Sequence, residues 1–128
     1  MATMTPDVRV GRVYDDPDPG EGTRVLVDRL WPRGLGREKA ALDEWCKQVA
    51  PSAELRRWYG HDPQRFDEFA RRYRAELAEG EPARALTHLR DLAGRGPITL
   101  LTASRRVDIS DATVLAALLR AGDEHSRG

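Results

Sequence analysis

Cysteine is among the scarcest residues here. Cys46 is the only one among 128 residues, so no disulfide can form within the chain and no zinc site can be built from cysteine pairs. A lone thiol suits a reducing compartment. Histidine is nearly as rare: His61 lies in a connection, His88 on a helix face and His125 in the C-terminal tail, which argues against a histidine metal centre. No metal is expected.

An excess of one charge is also missing. Lys plus Arg and Asp plus Glu are equal at 21 each, so no long-range field draws the molecule toward nucleic acid or an anionic membrane, and any anion binding has to be local. No apolar run approaches the roughly 20 residues of a membrane span, and Met1 to Pro6 has neither the basic start nor the apolar core of a signal peptide. A soluble, cytoplasmic protein without a membrane partner is the expectation. The length suits a single domain over 1–128, with an ordered core of about 7–121 and a disordered tail at 122–128. Lysine is scarce as well. Arginine outnumbers it 19 to 2, which could supply many bidentate anion contacts but reads first as the coding bias of an Arg- and Ala-rich genome.

What is present centres on Arg24 to Arg37. The apolar run Val25-Leu26-Val27 turns into a loop carrying Asp28, Arg29, Trp31, Arg33, Gly34, Gly36 and Arg37. Three consecutive apolar positions predict a strand, Thr23 to Leu30, covered on both faces and central in its sheet. Trp31-Pro32 ends it. Before it, Val8 to Tyr14 alternates apolar and polar residues as a first strand, and Asp15 to Gly22 is an acidic, Pro- and Gly-containing loop. Over Glu38 to Val49 helical spacing and alternation conflict; a helical turn followed by a short strand is favoured, and helix against strand stays open for 43–49.

The rest of the chain is mostly helical. Ser52 can cap a short helix that buries Leu55 and Tyr59 and stops at Gly60. Asp62, with Pro63 behind it, starts a second that carries Phe66, Phe69, Ala70, Tyr73 and Leu77 on one stripe and reaches about Glu79. A third runs from about Pro82 to Gly94. Pro97 to Ala103 is a buried strand, Ser104 to Ile109 its exit loop, and Ser110 or Asp108 can cap a last helix that ends before Gly122. Strand, helices, strand and helix in this order give an α/β class: a single layered domain with a small, at least partly parallel sheet flanked by helices.

With those segments placed, the chain resembles the YeaO-like family of small bacterial proteins, a domain of unknown function. The resemblance rests on Val27 to Gly34, on Ala50-Pro51-Ser52 with Leu55-Arg56 and Trp58, on His61, Phe69 and Tyr73, and on Thr99-Leu100-Leu101. It implies no established reaction. After the last strand the family pattern runs alanine, lysine, aspartate, two variable positions, histidine, asparagine. Here Arg105 keeps the positive charge, while Arg106, Ile109 and Ser110 stand where the acid, the histidine and the asparagine would be. If those groups act in relatives, this chain binds the same ligand without turning it over.

In open α/β sheets ligands sit beyond the carboxyl ends of the strands. If the two loop-bearing strands are parallel neighbours, Asp28 to Arg37 and Ser104 to Asp108 meet, and Arg29, Arg33, Arg105 and Arg106 face one crevice. Guanidinium groups fork onto phosphate or carboxylate, and Gly34 lets backbone amides approach an anion. Trp31 and Ser104 complete this ligand set, with His61 and Asp28 as the groups for proton transfer. Gly34-Leu35-Gly36 lacks the third glycine of a dinucleotide fingerprint and no P-loop occurs, so no cofactor is expected. The partner is then an anionic small molecule; a nucleic-acid-associated module using Arg56, Arg57, Arg71, Arg72 and Arg74, and a ligand-free dimer module, are the alternatives. The sequence leaves enzyme activity, substrate, reaction type and oligomeric state open.

Overall fold

Val25, Leu26 and Val27 have no exposed surface at all, and the reason is the place of their strand. In the computed structural model, which describes residues 6–121, β1 (Val8–Arg12), β2 (Thr23–Leu26), β3 (Glu44–Trp45) and β4 (Ile98–Thr102) form one sheet in the order β1-β4-β2-β3. Every pairing is parallel. β4 and β2 are therefore interior strands, and because successive side chains point to opposite faces, both faces must be apolar. Val25 and Val27 join the larger core, while Leu26 packs on the other side with Val13, Ala40 and Leu101. The expected α/β class holds, with a sheet that is wholly rather than partly parallel.

One face of the sheet is covered by helices: α2 (Ala53–Tyr59), α3 (Phe66–Glu76), α4 (Gly80–Arg95) and α5 (Asp111–Ala121). Ser52 Oγ accepts from Leu55 N at the start of α2, and Gly60, at φ 54°, closes it. Asp62 accepts from Gln64 N, so a single 3-10 turn, Pro63–Arg65, leads into α3. The stripe of α3 is buried as its spacing requires, at Phe69, Ala70 and Tyr73.

The other face is covered by the segment between β2 and β3, which includes the one-turn helix α1 (Arg37–Ala40). A buried arginine fastens this cover. Arg24 donates from Nε to Ala41 O at 3.1 Å, from Nη2 to Ala40 O at 2.9 Å and from Nη1 to Glu21 Oε1 at 2.7 Å. Its backbone N also donates to Asp43 Oδ2 at 2.9 Å.

Several boundaries differ from those the sequence suggested. β1 ends at Arg12 and β2 at Leu26, two and four residues early. Val27 N still donates to Leu101 O at 3.1 Å, but at Asp28 the side chain takes over from the backbone and the ladder stops. The ambiguous stretch resolves into α1, the two-residue β3 and a 3-10 turn at Lys47–Val49. α4 starts at Gly80 rather than near Pro82 and passes through Gly94, which needs no left-handed backbone there; Gly96, extended, follows its end. Neither Ser110 nor Asp108 caps α5: Ser110 Oγ donates to Val107 O at 2.7 Å, and the Asp108 carboxylate is held by Arg106. The expectation of a disordered tail at 122–128 lies outside the described residues.

Candidate functional site

β2 and β4 are parallel neighbours, with Leu26 opposite Leu101, so the two exits emerge side by side. Asp28 joins them. Its Oδ2 accepts from Ala103 N at 2.8 Å and from Thr102 Oγ1 at 3.1 Å. A carboxylate oxygen is thus used to satisfy the first amide beyond β4, which a continuing ladder would otherwise have to satisfy.

Beyond these exits opens a cleft of about 520 Å³. Its floor includes a second carboxyl, Asp111, the first residue of α5, whose Oδ1 accepts from Ala112 N at 2.9 Å. Burial, and then the neighbouring Asp28, push the Asp111 carboxyl well above the ordinary carboxylate range. Two acids packed together cannot both ionise cheaply, so Asp111 keeps its proton at a pH where a solvated aspartate has lost it.

Four arginines line the cleft: Arg29 and Arg33 from the β2 exit and Arg56 and Arg57 from α2. Arg29 donates to Pro51 O from Nε at 3.4 Å and from Nη2 at 3.2 Å, which ties the exit loop to the start of α2. Among the described residues none of the four forms an ion pair. Elsewhere some arginines are paired, Arg71 and Arg72 on Glu68, Arg95 on Asp91 and Arg106 on Asp108, while Arg74, Arg84, Arg90 and Arg105 are, like these four, without an ion pair among the described residues; what sets the four apart is that they line one cleft.

His61 stands exposed on the cleft lining at φ 57°, directly after Gly60 in the same left-handed region. A non-glycine residue there costs roughly 1–2 kcal/mol. Its ring lies 6.0 Å from that of Tyr59. Tyr59 forms wall rather than reagent: it stacks on Phe69 at 4.1 Å, donates to Ile109 O at 2.6 Å, and burial raises its hydroxyl to about 12. Trp31 also lines the cleft, its ring fixed by a 2.7 Å bond from Nε1 to Leu35 O and by Arg37 stacked 4.8 Å away. Ser104 reaches the lining too, but its hydroxyl donates back to Arg106 O at 3.3 Å.

Of the residues singled out from the sequence, Asp28, Arg29, Trp31, Arg33, Ser104 and His61 come together here. Gly34, Arg105 and Arg106 do not line the cleft. Gly34, at φ 74°, makes the turn after Arg33 with open space around it. Arg105 is exposed, and Arg106 is drawn to Asp108, two residues on, with bonds of 3.0 and 2.9 Å that raise the arginine's affinity for its proton and lower the acid's. Sequence reasoning misses Asp111, and it assigns Arg57, and Arg56 apart from its place in the family resemblance, only to a nucleic-acid surface. An acid at the first position of the helix that follows a strand exit was the available signal for Asp111. Cys46 is buried, and burial lifts its thiol to about 11, so it offers no thiolate. Among the described residues no three His, Cys, Asp or Glu side chains gather as a metal site.

Of the positions where the resemblance implies a different residue, Ile109 is buried and Ser110 lines the cleft.

Comparison with known proteins follows the same extent of chain. A family model described as the inactive DUF488-N3 subclade matches residues 7–127. An uncharacterised protein of Mycobacterium tuberculosis is 55% identical over 112 residues, which is 88% of this chain and 92% of that one. The uncharacterised protein YeaO of Escherichia coli is 40% identical over 114 residues, 89% of this chain and 97% of its own length. No solved structure matches. Both strand exits, α2 and α5 lie inside the matched region, and the chain belongs to the YeaO-like family, in the branch described as the inactive DUF488-N3 subclade.

Proposed function

We propose that the chain binds a small molecule carrying a phosphate or carboxylate group, with the cleft arginines Arg29, Arg33, Arg56 and Arg57 as its anion seat. The observation that carries this reading is that these four guanidinium groups surround one cleft and none is neutralised by a protein carboxylate among the described residues. Like charges converging without counter-ions cost stability, and an oxyanion removes that cost through charge-assisted hydrogen bonds of about 1.5–3 kcal/mol each. A volume of about 520 Å³ falls in the range of metabolite pockets, roughly 300–1,000 Å³.

Binding without turnover is the form of this function that fits the chain. The subclade to which it belongs is described as inactive, and the acid, histidine and asparagine of the family pattern are replaced at Arg106, Ile109 and Ser110. His61 at the rim and Asp28 at the floor are the groups left for proton transfer. A nucleic-acid module fits less well, since Arg71 and Arg72 are already occupied by Glu68 and the molecule has a formal net charge of zero.

Titration with inorganic phosphate at constant ionic strength, followed by thermal unfolding, tests the reading. Saturating phosphate should stabilise the fold by about 2.7 kcal/mol at one hundred times its Kd, and Arg29→Ala with Arg33→Ala should weaken binding at least tenfold, about 1.4 kcal/mol. If the double variant binds phosphate and a carboxylate series as the parent does, or if no anion binds the parent, the anion seat is wrong.

A further inference from the structure

The floor of the cleft differs chemically from its rim. Asp28 has one oxygen engaged, Oδ2, by Ala103 N and Thr102 Oγ1, and Asp111 has one, Oδ1, engaged by Ala112 N. Among the described residues no protein N–H or hydroxyl reaches the second oxygen of either; the two carboxyls instead bond to each other, and both residues line the cleft. None of the four rim arginines reaches either carboxyl as an ion pair. The bonded pair keeps acceptor lone pairs that no protein donor fills, beneath a cationic rim.

Three kinds of ligand group can be weighed against that floor. A second oxyanion would be repelled by the carboxyls. An ammonium group would have to pass four guanidiniums. A hydroxyl meets neither penalty, and since it both donates and accepts, it suits a pair of which one carboxyl retains its proton. The apolar wall supports the same chemistry, because the rings of Tyr59 and Phe69 beside the floor suit the C–H face of a polyol or sugar.

We infer that the ligand is a polyhydroxylated oxyanion, a sugar phosphate or a sugar acid, whose hydroxyls sit on Asp28 and Asp111 while its phosphate or carboxylate is held by the arginine rim. This rests on the anion seat proposed above and adds the chemistry of the ligand's other end. Asp111 is then a specificity-determining residue.

Calorimetry with four probes tests it: ribose 5-phosphate, gluconate, inorganic phosphate and ribitol, at one pH and ionic strength. Ribose 5-phosphate or gluconate should bind at least about tenfold tighter than inorganic phosphate and than ribitol, as two net hydrogen bonds would give; the tighter of the two identifies the oxyanion. Asp111→Ala should abolish that preference, the polyhydroxylated probe then binding the variant no tighter than inorganic phosphate binds the same variant, and Asp111→Asn, which keeps a donor and an acceptor, should restore it. If inorganic phosphate binds the parent as tightly as both polyhydroxylated probes, the inference is overturned and the anion seat survives. If ribitol matches them, the oxyanion is superfluous and both readings fall, as they do if none of the four binds. The parent comparison decides the matter even if Asp111→Ala does not fold.

Discussion

Arg24 is 4% exposed and fully charged, which is affordable only because every side of its guanidinium is used. Glu21, whose Oε1 accepts from the same arginine, has a side chain 14% exposed. Removing one partner strands the other, so Arg24→Ala should destabilise the protein by about 3–5 kcal/mol, read as a lower midpoint in urea at unchanged slope. Arg24→Lys should recover little, because one ammonium cannot meet Glu21 and the Ala40 and Ala41 carbonyls together. Asp111 makes the opposite case. As an acid held above its unfolded value of 3.8, it binds its proton more tightly in the folded state, so its contribution falls as pH rises from the unfolded value through the raised one. Asp111→Asn should therefore raise the melting temperature at neutral pH, and that gain should vanish below about pH 4; thermal melts across a pH series would show it. That Asp28 lies at the strand exit, and so on the cleft lining, was legible from the sequence. Asp111 was not, because its neighbour Asp28 is distant in sequence and an acid in the first turn of a helix has an ordinary electrostatic explanation.

At the scale of elements, the caps were the most readable features. Ser52 does more than a cap requires: besides accepting from Leu55 N, its Oγ and N donate to Glu76 Oε2 and Oε1 at 2.6 and 2.9 Å. It therefore joins the start of α2 to the end of α3. Ser52→Ala should cost more than the usual loss of about 1 kcal/mol for a cap, approaching 2–3 kcal/mol once the Glu76 contact is included, as a denaturant curve would measure. Strand ends were less legible. The sequence suggests a strand through Leu30, yet β2 stops at Leu26, because a tertiary hydrogen bond to Asp28 replaces the ladder and no local rule announces that. Leu30 is 64% exposed as a result. The loop after β4 failed for a local reason: Arg106 and Asp108 are near enough in sequence to satisfy each other, which removes Arg106 from a crevice that strand order alone would give it.

For the whole molecule, the balance of charge decides more than the abundance of arginine. A formal net charge of zero leaves no far field, so oligonucleotides, single- or double-stranded, should show no binding by fluorescence anisotropy even at low salt, where phosphate contacts are strongest. The class of fold followed from the order of elements; that β2 and β4 are neighbours did not follow from the class, and only the strand order of the sheet meets that condition. Which side chains those exits turn inward was set by contacts between distant segments, and there periodicity has nothing to say.

The order of strands has one further consequence, in time rather than space. β1 has β4 as its partner, with Val8 opposite Ile98, and Arg120 of α5 seals the same end by donating to Val8 O at 3.1 and 2.6 Å. During synthesis at 5–20 residues per second the first strand must wait on the order of ten seconds for its neighbour to be made. Until then its apolar side chains and backbone groups have no sheet to join. The cleft cannot form earlier either, since its floor is shared between β2 and a helix that emerges last. The sheet can close once β4 has emerged, whereas the floor of the cleft waits for α5, so a chain released between the two has every strand and lacks the floor.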